Sequence, residues 1–197
     1  MAKKSLREDI LDAGLRVMLQ KGYAAASVRD VVAAAGVPQG SYTNHFRSKE
    51  AFAGEVLERY FAHTQDLVAR ALDDTSLAPR ERLRRYLDLI TGQLAADEFR
   101  RGCLIGDFSL EAAPASERLR TQLAGLFREW RDRFAACIAA AQAAGEIETT
   151  FAPADLAEFL LASWEGAILR MKVERTAEPL ERFQRIAFAT FLRPPGT

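Results

Sequence analysis

The sequence predicts an all-α protein of about nine helices, a three-helix head followed by an antiparallel helical bundle. Two observations carry this. Apolar residues recur at intervals of three and four in segment after segment, and no stretch shows the alternation of a half-buried strand. The breaks between segments fall at Gly, at Pro or in polar clusters such as DDTSLAP, Asp73 to Pro79.

The first helix is predicted from Ser5 or Leu6 to about Gln20, with Leu6, Ile10, Ala13, Gly14, Val17 and Met18 on one face. Lys21 suits a helix C-terminus and Gly22 supplies the stop. Ser27 is a good N-cap for a second helix through Ala35, with Val28, Val31, Val32 and Ala35 inward and Gly36 as a left-handed cap. Val37 turns inward, and Pro38 opens a third helix over roughly Gln39 to Phe46. Ser48 caps a fourth, with Glu50 in its first turn, reaching about Leu72. Five more are expected near 79–96, 104–113, 117–144, 154–173 and 177–191.

Helix, four-residue turn and short helix is the layout of a helix-turn-helix. The third helix is short and polar, carrying Gln39, Ser41, Thr43, Asn44 and His45, and little is gained by burying it. Side chains of these kinds read base edges or hold phosphates. The division expected is a helix-turn-helix domain over 1–47 and a helical ligand-binding and dimerisation domain over 48–197.

The later segments are amphipathic. Leu119, Leu123, Leu126, Trp130, Phe134, Cys137 and Ala141 form one stripe. Leu156, Phe159, Leu160, Trp164, Ile168 and Met171 form a second, and Leu180, Phe183, Ala187 and Phe191 a third. Phe108, Phe127, Trp130, Phe134 and Trp164 are candidates to line a cavity between helices, as ligands bind in bundles, although aromatic stripes also serve simply as core. Glu165 and Arg170 are placed either toward a polar ligand or toward solvent. The segments near 154–173 and 177–191 are expected to pair with their symmetry mates in a homodimer.

Charge sharpens the picture. The chain has 27 Lys and Arg against 27 Asp and Glu. Residues 1–47 nevertheless hold seven basic residues (Lys3, Lys4, Arg7, Arg16, Lys21, Arg29, Arg47) against four acids (Glu8, Asp9, Asp12, Asp30), leaving the remainder acidic. A basic head on an acidic body suits one end facing phosphate. No apolar run is long enough to span a membrane, and MAKKSLREDI breaks into charges where a secretory signal needs an apolar core, so a cytoplasmic location is expected. His45 and His63 are the only histidines and Cys103 and Cys137 the only cysteines, in no metal-ligand spacing. Neither a nucleophile triad nor a phosphate-cradling glycine loop is evident, so no enzyme and no cofactor is expected. A helical protein-interaction module is the alternative reading, and it leaves the Gln39–His45 surface unexplained.

The run from Ile10 to Phe52, ending SVRDVVAAAGVPQGSYTNHFRSKEAF, closely resembles the DNA-binding head of the TetR family of bacterial regulators. The matching features are Gly22–Tyr23, Ser27–Asp30, Ala35–Val37 and His45–Glu50. The resemblance implies a regulator, more often a repressor, that dimerises through its last two long helices and binds a near-palindromic operator. The resemblance implies further that a small molecule entering the body releases the operator. It also implies phosphate contacts from Ser27 and Lys49, base contacts from Arg29, Gln39, Ser41 and Asn44, close approach at Gly40, and backbone contacts from Thr43 and His45. One departure stands out: the family commonly has tyrosine at the position of Thr43, and here the aromatic is Tyr42, which one helical step turns inward. The segment RRGCLIGDFSLE resembles a subgroup with a Gly-Cys segment, some of whose members respond to electrophiles or oxidants. Two readings of Cys103 stay open. Arg100, Arg101 and a helix N-terminus favour a reactive thiolate, whereas a lone cysteine also serves as a small buried hydrophobe.

Overall fold

The computed structural model describes residues 5–196, so Lys3 and Lys4 of the basic head lie outside the described residues. Among these the chain forms nine helices: α1 (Leu6–Ala25), α2 (Val28–Ala35), α3 (Gln39–His45), α4 (Lys49–Leu72), α5 (Pro79–Ala96), α6 (Leu104–Glu111), α7 (Glu117–Ala143), α8 (Pro153–Glu174) and α9 (Glu178–Ala189). They fall into two compact units. One comprises residues up to His63 together with Cys103–Gly125, and the other Thr64–Gly102 with Leu126 onward. The helices α4 and α7 each run through both.

In the first unit the helix boundaries follow local chemistry. Ser5 caps α1 by accepting from the Glu8 amide, and Ile10, Ala13, Gly14, Val17 and Met18 are buried as the periodicity requires. Leu6, expected on that face, is 43% exposed, because the first turn of α1 lies beyond the packed core. The α-helix is interrupted at Gly22 (φ 79°, ψ 175°), after which one further helical turn carries it to Ala25 instead of ending near Gln20. Ser27 begins α2 with a reciprocal capping box: its hydroxyl accepts from the Asp30 amide while the Asp30 carboxylate accepts from the Ser27 amide. Gly36 closes α2 in the left-handed conformation (φ 67°), donating to the Ala33 carbonyl. Pro38 stands just outside α3 as its N-cap and Phe46 just past its end, so α3 is one residue shorter than predicted.

Tyr42 and Phe46, four residues apart, lie on the same side of α3 and are buried against Phe52 of α4, with ring centroids 4.7–5.2 Å apart. Burying three aromatic rings fixes α3 far more firmly than its seven residues could by propensity. Arg7 pairs with Glu55, and Arg59 with Glu8 and Asp12, tying α1 to α4. Beyond the predicted head, α6 and the start of α7 also belong to this unit, with Leu104, Ile105, Phe108 and Leu119 fully buried.

The second unit is built on α5, α8, α9 and the greater part of α7. Tyr86 meets Phe134 edge-on at 4.8 Å, and Trp164 packs on Phe183 at 5.3 Å. The Arg80 guanidinium donates to the carbonyls of Phe188 (2.9 Å) and Leu192 (2.6 Å), closing the end of α9 against α5. Leu156, Leu160, Trp164, Ile168 and Met171 of α8 are buried as predicted, but Phe159, assigned to the same stripe, is 55% exposed and meets Phe191 edge-on. No helix among the described residues is long and apolar enough to cross a membrane.

Candidate nucleic-acid interface

Anchored by Tyr42 and Phe46, α3 turns Gln39, Gly40, Thr43 and Asn44 to the outside, a set spaced to share one helical face. His45 is also exposed, and Ser41 is half-buried at the edge. These side chains offer amide, hydroxyl and imidazole groups, the donors and acceptors that match base edges in a major groove. A Cβ added at Gly40 would meet nothing within 4 Å. Glycine in a helix interior costs about 1 kcal/mol relative to alanine, and no neighbour in the chain requires it there. The backbone at Gly40 is therefore open to close approach from outside the chain. The Thr43 hydroxyl donates to the Gly40 carbonyl at 3.0 Å, a local bond a partner's acceptor must compete with.

The flanking positions are more engaged than their residue types suggest. Arg29 is exposed on the first turn of α2. The Ser27 hydroxyl donates to the Asp30 carboxylate at 2.6 Å, and Lys21 pairs with the same carboxylate at 2.6 Å. These bonds, Lys21 foremost, hold the Asp30 carboxyl well below the usual carboxylate range. Lys49, the first residue of α4, is half-buried: its ammonium donates to the Ala24 carbonyl at 3.1 Å and lies 4.7 Å from the centre of the Tyr23 ring. Burial lowers its pKa, partly offset by Glu111.

Residues 10–56 match the profile of bacterial regulatory proteins of the tetR family, and residues 79–187 that of tetracyclin repressor-like C-terminal domains. The chain belongs to the TetR family. It is 44% identical over 192 residues to the HTH-type transcriptional repressor DhaR of Mycobacterium sp. (strain GP1), covering 98% of this chain and 95% of that one. It is 37% identical over 178 residues to the transcriptional regulator AcuR of Cereibacter sphaeroides, covering 90% and 81%. A crystal structure of the regulatory protein TetR from Rhodobacter sphaeroides superposes with a TM-score of 0.90 at 37% identity, over 95% of this chain and all of that one. That of reduced Escherichia coli NemR gives 0.85 at 28% identity, over 98% and 100%. This is therefore a DNA-binding transcriptional regulator, of a family whose repressors bind operators as dimers.

Among the ligand candidates, Phe108 stands apart from the rest: it lies in the first unit, fully buried, with its ring 5.3 Å from Tyr23. Phe127, Trp130, Phe134 and Trp164 are in the second unit. Phe127 is half-buried and stacks on Trp130 at 6.5 Å, and Phe134 packs on Tyr86. The indole N–H groups of Trp130 and Trp164 are buried without an acceptor among the described residues, an unusual cost for a finished core. A groove of about 390 Å³ elsewhere in this unit is lined by Leu72, Arg82, Arg133 and Cys137, not by these aromatics. Arg170 is exposed and pairs with Glu174, and Glu165 is half-buried.

Cys103 is the N-cap of α6 and is buried, its thiol making no cap bond. The cations expected to activate it are committed elsewhere. Arg101 makes a two-bond pair with Asp97, both bonds at 2.6 Å, and Arg100 pairs with Glu98. Glu98 and Phe99 just upstream are held at positive φ (54° and 57°), a strained approach for side chains of their size. Cys137 donates to the Pro79 carbonyl, and burial pushes its thiol up to about 11, leaving it inert as core.

Two features escaped sequence reasoning. One is Glu111, whose carboxylate accepts from the Ala24 amide at 2.7 Å across 87 residues of sequence, a pairing no local pattern encodes. The other is a second apolar stripe on α8: Phe159, Ala162, Gly166, Leu169 and Val173 all face outward, Leu169 54% and Val173 76% exposed. Its three- and four-residue spacing was visible in the sequence.

Proposed function

We propose that this chain is a homodimeric repressor that reads a near-palindromic operator with α3 and is released by a small-molecule or electrophilic inducer. The outward face of α3, with open space over Gly40, is the observation that carries it. Residues 1–47 act as the DNA-binding domain and 48–197 as the ligand-binding and dimerisation domain. Arg29, Gln39, Ser41 and Asn44 reach base edges; Ser27, Thr43, His45 and Lys49 hold the backbone. The reading places the protein in the cytoplasm, with the DNA it binds.

One seven-residue helix makes few contacts, so two half-sites must be read together, about 34–36 Å apart. The stripe Phe159–Ala162–Gly166–Leu169–Val173, with Ile186 of α9 51% exposed, supports pairing of α8 and α9 with their symmetry mates. For the inducer, the buried indole donors of Trp130 and Trp164 favour an apolar molecule carrying a hydrogen-bond acceptor. By linkage, whatever weakens operator binding itself binds less tightly to the operator-bound form.

Selecting bound fragments from a genomic library, then measuring mobility shifts at several salt concentrations, tests the reading. Specific fragments should emerge, and log affinity should fall linearly with log salt. A protein that selects no fragment would refute it. For the electrophile, Cys103→Ser should abolish release by an alkylating quinone while leaving operator affinity intact; unchanged release removes Cys103 as the sensor.

A further inference from the structure

Three groups converge on the last turn of α1, the turn after Gly22 that forms its connection to α2. Gly22 has the positive φ that only glycine adopts without strain, and a Cβ there would run into the Glu111 carboxylate. Ala24 is held at both ends of its backbone, its N–H by Glu111 of α6 (2.7 Å) and its carbonyl by Lys49 of α4 (3.1 Å). Tyr23, between them, lies under the Lys49 ammonium on one side and against Phe108 of α6 on another. The connection leads directly to Ser27, the cap of α2, so its placement sets where α2 begins. Glu111 and Lys49 also interact through space, the carboxylate favouring the charged form of the ammonium.

We propose that Glu111 is a positioning residue of the DNA interface: it fixes the Ala24 backbone whose carbonyl seats the Lys49 ammonium, and its nearby negative charge competes with a DNA phosphate for that ammonium. The inference rests on the proposed reading of Lys49 as a phosphate contact. Two requirements on one cation conflict: as long as its ammonium is satisfied by the carbonyl, the Tyr23 ring and the nearby carboxylate, it has less to gain from phosphate. Glu111 is exposed, so its hold is screened by solvent, and the effect is that of a surface charge pair rather than of a buried one. Glu111 thus tempers affinity for every sequence alike, since phosphates carry no base information.

The test is a double-mutant cycle of Glu111→Gln and Lys49→Met, with the duplex that the wild-type protein selects from a random-sequence library as probe. Glutamine keeps an oxygen to accept from the Ala24 amide but removes the charge. Methionine keeps the apolar stem against Tyr23 but removes the ammonium. Glu111→Gln should bind up to about fivefold more tightly in the Lys49 background, the range of an exposed charge pair. The gain should vanish in the Lys49→Met background. Unchanged or weaker binding by Glu111→Gln, with its thermal unfolding unaltered, overturns the proposal; so does an equal gain in both backgrounds. A Glu111→Gln protein that unfolds early overturns it too, because the carboxylate is then a structural requirement. If the wild-type protein selects no duplex, the DNA reading itself has failed, which the cycle does not confuse with a failure of Glu111 alone.

Discussion

Two helices of this protein leave a face uncovered, and they do so with opposite chemistry. On α3 the uncovered face is Gln39, Gly40, Thr43 and Asn44, polar or bare; on α8 it is Phe159, Ala162, Gly166, Leu169 and Val173, apolar or small. Both helices are fixed by aromatic packing on their inner side, Tyr42 and Phe46 in one and Trp164 in the other. The inner faces obey the same rule of burial, so they say little about function. The outer faces carry the information. A polar face on a short helix suits a hydrated, hydrogen-bonding groove, whereas an apolar stripe at heptad spacing suits another helix.

If that contrast is right, disrupting the α8 face gives the largest effect. Leu169→Asp combined with Val173→Asp should convert the protein to a monomer by analytical ultracentrifugation. Operator affinity should fall by at least about a hundredfold as the second half-site is lost. Because both side chains are exposed in the single chain, the fold should survive, read as unchanged helical circular dichroism. Next in size, Gln39→Ala or Asn44→Ala should leave stability unchanged but cost about 1–3 kcal/mol of discrimination at one base pair per half-site, measured by competition between duplexes. Gly40→Ala separates the two kinds of cost most cleanly. With nothing within 4 Å of the added methyl, thermal stability should rise by up to about 1 kcal/mol while operator binding weakens. The smallest change is Thr43→Tyr, expected to strengthen binding a few-fold for all sequences alike by reaching a phosphate that the threonine, bonded to Gly40, reaches poorly. Equal or weaker binding in a mobility shift would reject it.

Much of this could be read before any coordinates. Ser27, Gly36 and Pro38 marked the limits of α2 and α3 because caps and turns are local chemistry, decided within three or four residues. Tyr42 was placed inward by one helical step from the position where the family commonly has its tyrosine, and it is 3% exposed. Lys49 illustrates where such reasoning stops. The family resemblance implied a cation facing phosphate, yet a carbonyl 25 residues earlier and a ring beside it hold the ammonium. Phe159 illustrates another limit: α8 is apolar around much of its circumference, and periodicity alone does not say which of two stripes faces the core.

Sequence alone thus determined the helices, their order, the capped turn between α2 and α3, and the family resemblance, since each depends on residues near one another in the chain. Only the tertiary structure decided that Phe108 packs against Tyr23, that the Lys49 ammonium rests on the Ala24 carbonyl, and that Glu111 grips the amide of Ala24. Burial and charge pairing of long side chains are set by what the fold brings alongside, often from far along the chain. Local rules have no access to that information.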